Sequence, residues 1–155
     1  MDIYVYLNIV KLFVMKKIIL FLGLLFPLVI LAQTSRDINT VIQKTIDLHA
    51  LSTHYNAAER AGETPLIILN DDKIPNNLIV FKFNKRVKIM TSDQLATFKS
   101  LSKKNLDSYF VFEVLNFTED SVEIKANFRK TDTIAININM KKQDRVWKII
   151  NSSAG

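Results

Sequence analysis

The side chains that could carry chemistry are few. His49 and His54 are the only two histidines and there is no cysteine, which excludes thiol catalysis and thiolate metal sites. Five residues apart on a helix, the two imidazoles point about 140° away from each other, so one helix face cannot offer both to a metal. His49 continues the apolar stripe that begins at Ile38, and reads first as a core histidine bonded to a backbone carbonyl, second as a pocket acid or base. Asp107 and Tyr109 form an acid–tyrosine pair at the mouth of a strand, a pairing suited to proton transfer. With His49 they are the catalytic candidates. The three glycines do not form a phosphate loop, no nucleophilic-serine elbow is present, and Asp71 and Asp72 read as a solvated turn because the spaced oxygen ligands of a calcium loop are missing. No metal or cofactor is expected.

Basic residues make the binding candidate. Lys82, Arg86 and Lys88 share one strand parity, and Lys99, Lys103 and Lys104 follow on the next helix. Laid together they would dock an anionic glycan, lipid or protein face; laid apart they are a wet surface with edge-protecting lysines. The total of 21 Lys+Arg against 15 Asp+Glu, a formal charge of +6 over 155 residues, is too mild and dispersed for a nucleic-acid binder.

The 48% apolar share is unevenly spread. Met15-Lys16-Lys17 is followed by an uncharged run from Ile18 to Ala32, with the positive start, short apolar core and small residue before a cut that mark a secretory signal peptide. The run is shorter than the ~20 residues of a membrane span and holds Pro27. The expected organisation is therefore residues 1–32 as an extension plus signal peptide, starting functionally at Met15, and 33–155 as one periplasmic or secreted domain that meets a membrane only during export.

Within that domain the spacing of Ile38, Val41, Ile42, Ile46, Leu48 and Tyr55 predicts one long amphipathic helix from Thr34 or Ser35 to near Gly62. Leu66 to Leu69 predicts a short strand, followed by a loop from Asn70 to Asn77. Alternation from Leu78 to Met90 predicts a half-buried strand with Ile79, Phe81 and Phe83 inward and a turn or bulge near Asn84-Lys85. Thr91 and Gln94 have capping-box spacing ahead of a second helix through Leu101. Tyr109–Phe117, Val122–Lys130, Thr133–Lys141 and Val146–Asn151 predict a four-stranded antiparallel meander with one face buried and one polar.

The fold class expected is α+β, a long N-terminal helix packed on a curved antiparallel β-sheet that ends in the meander. The closing strand Arg145-Val146-Trp147-Lys148-Ile149-Ile150 in that setting resembles the cystatin-like superfold, which includes nuclear-transport-factor-2-like domains. The leader and the overall style resemble small exported proteins of Bacteroidota such as flavobacteria. The resemblance implies a pocket enzyme, but the positions of the superfold's catalytic residues find no match here; the residues themselves favour a binding or interaction module, including one that holds a small apolar ligand. The primary expectation is an exported non-catalytic binding module. The alternatives are that pocket enzyme, or an inhibitor or immunity-type protein acting through the Asn70 to Asn77 loop.

Overall fold

The structure, a computed structural model, describes residues 35–155 apart from 71, 103–105 and 107. The chain falls into two units, Met1–Asp37 and Ile38–Gly155; the sheet and the elements around it belong to the second. The expected leader, through Ala32, lies outside the described residues.

The first helix, α1, occupies 35–46 and is much shorter than its periodicity predicts. Three local groups end it. The Thr45 hydroxyl bonds back to the Val41 carbonyl at 2.9 Å, a contact that competes with helix propagation. The buried Tyr55 hydroxyl donates to the Ile46 carbonyl at 2.9 Å and satisfies part of the exposed helix end. Leu48 is extended, and a 3₁₀ turn, His49–Leu51, follows. A new helix, α2 (Ala57–Arg60), then starts on its own capping box: Asn56 accepts from the Glu59 amide, and the Glu59 carboxylate accepts from the Asn56 amide. Gly62, at φ 71, closes α2.

The strands are β1 (Ile67–Leu69), β2 (Phe81–Lys82), β3 (Lys85–Arg86), β4 (Lys88–Met90), β5 (Tyr109–Phe117), β6 (Ser121–Arg129), β7 (Thr133–Gln143) and β8 (Val146–Ala154); α3 (Ser92–Leu101) lies between β4 and β5. Six strands form one sheet in the order β4-β1-β5-β6-β7-β8, and β2 and β3 form a second, two-stranded one. β1 runs parallel to both β4 and β5, whereas β5 through β8 are successive antiparallel neighbours. The expected α+β class with a wholly antiparallel sheet is therefore corrected to a mixed α/β architecture around a mixed sheet. The parallel pairs belong to the part of the sheet that carries apolar side chains on both faces.

β1 shows this residue by residue. Ile68 joins the main core with Val41, Ile42, Ile46, Phe110 and Phe128, whereas Ile67 points to the opposite side, into a cluster with Leu95 and Leu106 backed by Phe98 and Tyr109. Alternate side chains of a strand face opposite ways, so β1 is covered from both sides. Thr91 and Gln94 cap α3 reciprocally, and its Leu95 and Phe98 supply the second cover.

The meander is covered on one face. Val122, Ile124, Ala126 and Phe128 of β6 and Ile134, Ile136, Ile138 and Met140 of β7 are buried, while Glu123, Lys125, Arg129, Asn137 and Asn139 alternate outward. Phe110 and Phe128 stack at 4.3 Å between centroids, and Trp147 meets Phe117 edge-on at 5.8 Å. Aromatic pairs of this kind add about 0.5–1.5 kcal/mol beyond area burial. The loop after β1 is tied down: Asn70 is buried, its side chain donates to the Ile74 carbonyl at 2.9 Å and to Asn76, and Ile74 inserts into the core.

Candidate functional site

Residues 78–89 build the feature with the most chemical character. The chain reverses at Phe83 and Asn84, whose φ angles of 51° and 58° are those of a two-residue type I′ turn between antiparallel strands. Asn tolerates that conformation and Phe does not favour it. Phe83 is held there by its edge-on contact with the Tyr55 ring, centroids 5.1 Å apart. Phe81 pairs with Arg86 and Lys82 with Lys85, and the Val87 amide donates to the Val80 carbonyl at 2.8 Å, so the hairpin extends beyond its two strands.

Side chains of α1 close the outer edge of this hairpin. The Gln43 amide accepts from the Phe81 N–H at 2.9 Å and donates to the Phe81 carbonyl at 2.8 Å, and Asn39 accepts from the Ile79 N–H at 2.7 Å. The two residues are four apart, so they stand above one another on one helix face and present amides where a neighbouring strand would. On the other side the Lys88 amide donates to the Leu66 carbonyl at 2.9 Å, joining the hairpin to the main sheet.

This arrangement reverses the expected parity at Ile79 and Phe81, whereas Phe83, Val87 and Ile89 of the same expected face do pack on the core. Val80 and Val87 are buried, while Ile79 is 54% and Phe81 51% exposed. Phe81 turns its N–H and carbonyl toward Gln43, so Phe81 and Arg86 form a non-hydrogen-bonded cross-strand pair, whose side chains stand close on one face. Continuing the register puts Ile79 beside Lys88. The outward face is therefore an apolar strand, Ile79 and Phe81, flanked by a basic one, Arg86 and Lys88.

The candidate basic residues separate accordingly. Arg86 and Lys88 come together. Lys82 does not join them: its side chain is 16% exposed, and its ammonium lies 2.9 Å from Asp47 and 5.4 Å from the Tyr55 and Phe83 ring centroids. Lys99 lies over the Tyr109 ring at 5.7 Å. Lys103 and Lys104 lie outside the described residues.

Lys85 completes the group. A Cβ on Gly62 would come within 2.8 Å of its stem, so Lys85 lies across the α2 terminus. Arg86 donates to the Leu78 carbonyl at 3.3 Å, and the Lys88 ammonium is 4.7 Å from the Phe98 ring centroid. Each cation is positioned by backbone or aromatic contact. Among the described residues none of the three forms an ion pair, whereas Lys82, Lys125, Lys130 and Lys141 all do. Two hollows flank them, one of about 410 Å³ between Gly62, Pro65, Lys85, Arg86, Lys88, Phe98 and Ser102, one of about 400 Å³ reaching from Asn76 and Leu78 to Met90. No carboxylate among the described residues lines either.

The catalytic candidates do not assemble. His49 is exposed on the 3₁₀ turn, which corrects the expectation of a core histidine. That turn packs near β8, and two strands separate β8 from Tyr109 on β5. Tyr109 packs against the α3 cluster. Asp107 lies outside the described residues.

A larger, polar cleft of about 1110 Å³ is lined by residues including His54, Glu63, Ser108, Lys130 and Asp132. Both charge signs meet there. Its cation is already engaged: the Lys130 ammonium donates to the buried Glu59 carboxylate at 3.0 Å and to the His54 carbonyl at 2.6 Å. Beneath, burial and then the charges of Asp47 and Glu59 push the Tyr55 hydroxyl well above the usual tyrosine range. Among the described residues no cluster of three metal-ligating side chains occurs, and no helix is long and apolar enough to cross a membrane. No protein-family model matches the chain, and neither does any curated protein or solved structure.

Proposed function

We propose that the chain is an exported, non-catalytic binding module that docks an anionic partner on the outward face of the 78–89 hairpin and at the adjoining hollow, which Lys85 lines together with Arg86 and Lys88. One observation carries the reading: Lys85, Arg86 and Lys88 are each positioned, yet none has an acidic partner among the described residues. Three neighbouring cations repel one another, so an arrangement that holds them together without a counter-charge favours an incoming anion. The apolar leader from Ile18 to Ala32 supports export.

Retention on immobilised heparin tests the site against mere net charge. The triple variant Lys85→Gln, Arg86→Gln, Lys88→Gln should elute at distinctly lower salt than the parent. A control that removes the same charge from the meander's polar face, Lys125→Gln, Lys141→Gln, Lys148→Gln, should elute close to the parent. Equal shifts in both variants would refute the site.

A further inference from the structure

The geometry points to an anionic lipid surface as the partner of this face; the inference rests on the anion-docking reading and names the partner class. Three features support it. First, the apolar and cationic side chains share one face: Ile79 and Phe81, each about half exposed, stand beside Lys88 and Arg86. A soluble anion would engage the cations and leave both apolar side chains in water, whereas a bilayer interface takes the two together, headgroup charge against the cations and acyl boundary against the apolar pair.

Second, the β2 edge of the hairpin is already occupied. Gln43 takes both Phe81 backbone groups and Asn39 the Ile79 N–H, and on the other side the Lys88 N–H is joined to Leu66. An extended peptide therefore cannot add as a strand beside Phe81, which is the mode a sheet edge otherwise gives an acidic segment. Third, the ammonium of Lys88 rests on the Phe98 ring and the Lys85 stem runs along Gly62, so both long cationic side chains already lie along the protein surface, where they cover it as such side chains do at membrane interfaces.

Co-sedimentation with vesicles tests this, using the chain from Gln33 onward, which contains every described residue. The vesicles are equimolar phosphatidylglycerol and phosphatidylcholine, or phosphatidylcholine alone. The parent should sediment with the anionic vesicles and not with the neutral ones. Arg86→Gln with Lys88→Gln should weaken partitioning about 30-fold, since each cation near an anionic surface is worth about fivefold. Ile79→Ser with Phe81→Ser should weaken it by roughly tenfold or more, because half of two large apolar side chains is lost from the contact, while lowering heparin retention far less than Arg86→Gln with Lys88→Gln does. Far-UV circular dichroism checks each fold, and the single Phe81→Ser replaces the pair should the pair unfold.

Vesicle binding indifferent to the Ile79 and Phe81 substitutions would overturn the lipid assignment, leaving plain electrostatic adsorption. Retention on heparin or on polyglutamate without vesicle binding would also overturn it and leave the anion-docking reading standing. Failure to bind heparin, polyglutamate and vesicles alike would remove both.

Discussion

Lys130→Met should be among the most damaging single substitutions at a partly exposed position. The Glu59 carboxylate has no solvent exposure, whereas Lys130 retains 18%. One carboxylate oxygen takes the Asn56 amide at 2.8 Å and the Lys130 ammonium at 3.0 Å; the other has no hydrogen-bond partner. Removing the ammonium leaves a buried charge with a single backbone donor and strips the His54 carbonyl of its partner. Breaking a buried pair in this one-sided way costs about 3–5 kcal/mol, a third or more of the ~10 kcal/mol typical of a domain. Glu59→Gln should cost less, about 1–2 kcal/mol, because glutamine keeps an acceptor for the cap and Lys130 can swing into the cleft. The double variant should be more stable than the sum of the two losses implies by about 2 kcal/mol. Urea unfolding followed by fluorescence of the buried Trp147 measures all four corners of the cycle. A loss below about 1 kcal/mol for Lys130→Met, or simple additivity, would refute the reasoning that the pair is mutually dependent.

Tyr55→Phe should remove an alkaline weakness: because the native hydroxyl titrates above the ordinary range, unfolding releases its proton and stability falls as pH rises past ~10, by up to about 1.4 kcal/mol per pH unit. The parent should show that slope and the variant should not, at a neutral-pH cost of about 1 kcal/mol for the lost bond to Ile46. Gly62→Ala should destabilise by about 1–2 kcal/mol, since alanine resists φ 71, and should lower heparin retention as Lys85 is displaced; a melting curve and the column read both. Gln43→Ala should speed hydrogen exchange at the Phe81 amide at least tenfold relative to the β6 amides, a local opening that mass-resolved exchange detects.

The legible parts of the sequence are those where one face is wet. Val122 to Phe128 and Ile134 to Met140 alternate cleanly, and those strands lie where the alternation puts them. The parallel segment was written in a different signal: Leu66-Ile67-Ile68-Leu69 is apolar without a break, the mark of a strand covered from both sides, and it separates a mixed sheet from an antiparallel one. The short α1 also had a signal, Asn56-Ala57-Ala58-Glu59, a second helix start inside the predicted helix. The 78–89 parity was illegible for a different reason. Ile79 and Phe81 are as apolar as the core and Val80 is no more so; what turns Val80 inward is the Phe83-Asn84 reversal and the hold of Asn39 and Gln43, a contact between distant parts of the chain. Arg86 and Lys88 were visible as a pair by parity, but the pairing of Lys82 with Asp47 depends on tertiary placement alone.

The central position of β1 governs the order in which this sheet can be assembled. Ile68 pairs with Ile89 on one side and with Phe110 on the other, so an early segment waits for two later ones. The meander closes through successive short turns and needs no distant partner, which makes it the fast, low-contact-order half. Loop closure must come before β1 gains its neighbours, so its insertion belongs late in folding. Until then the unbroken apolar stretch Leu66 to Leu69 stands uncovered, and that interval is when a chaperone has the most to hold.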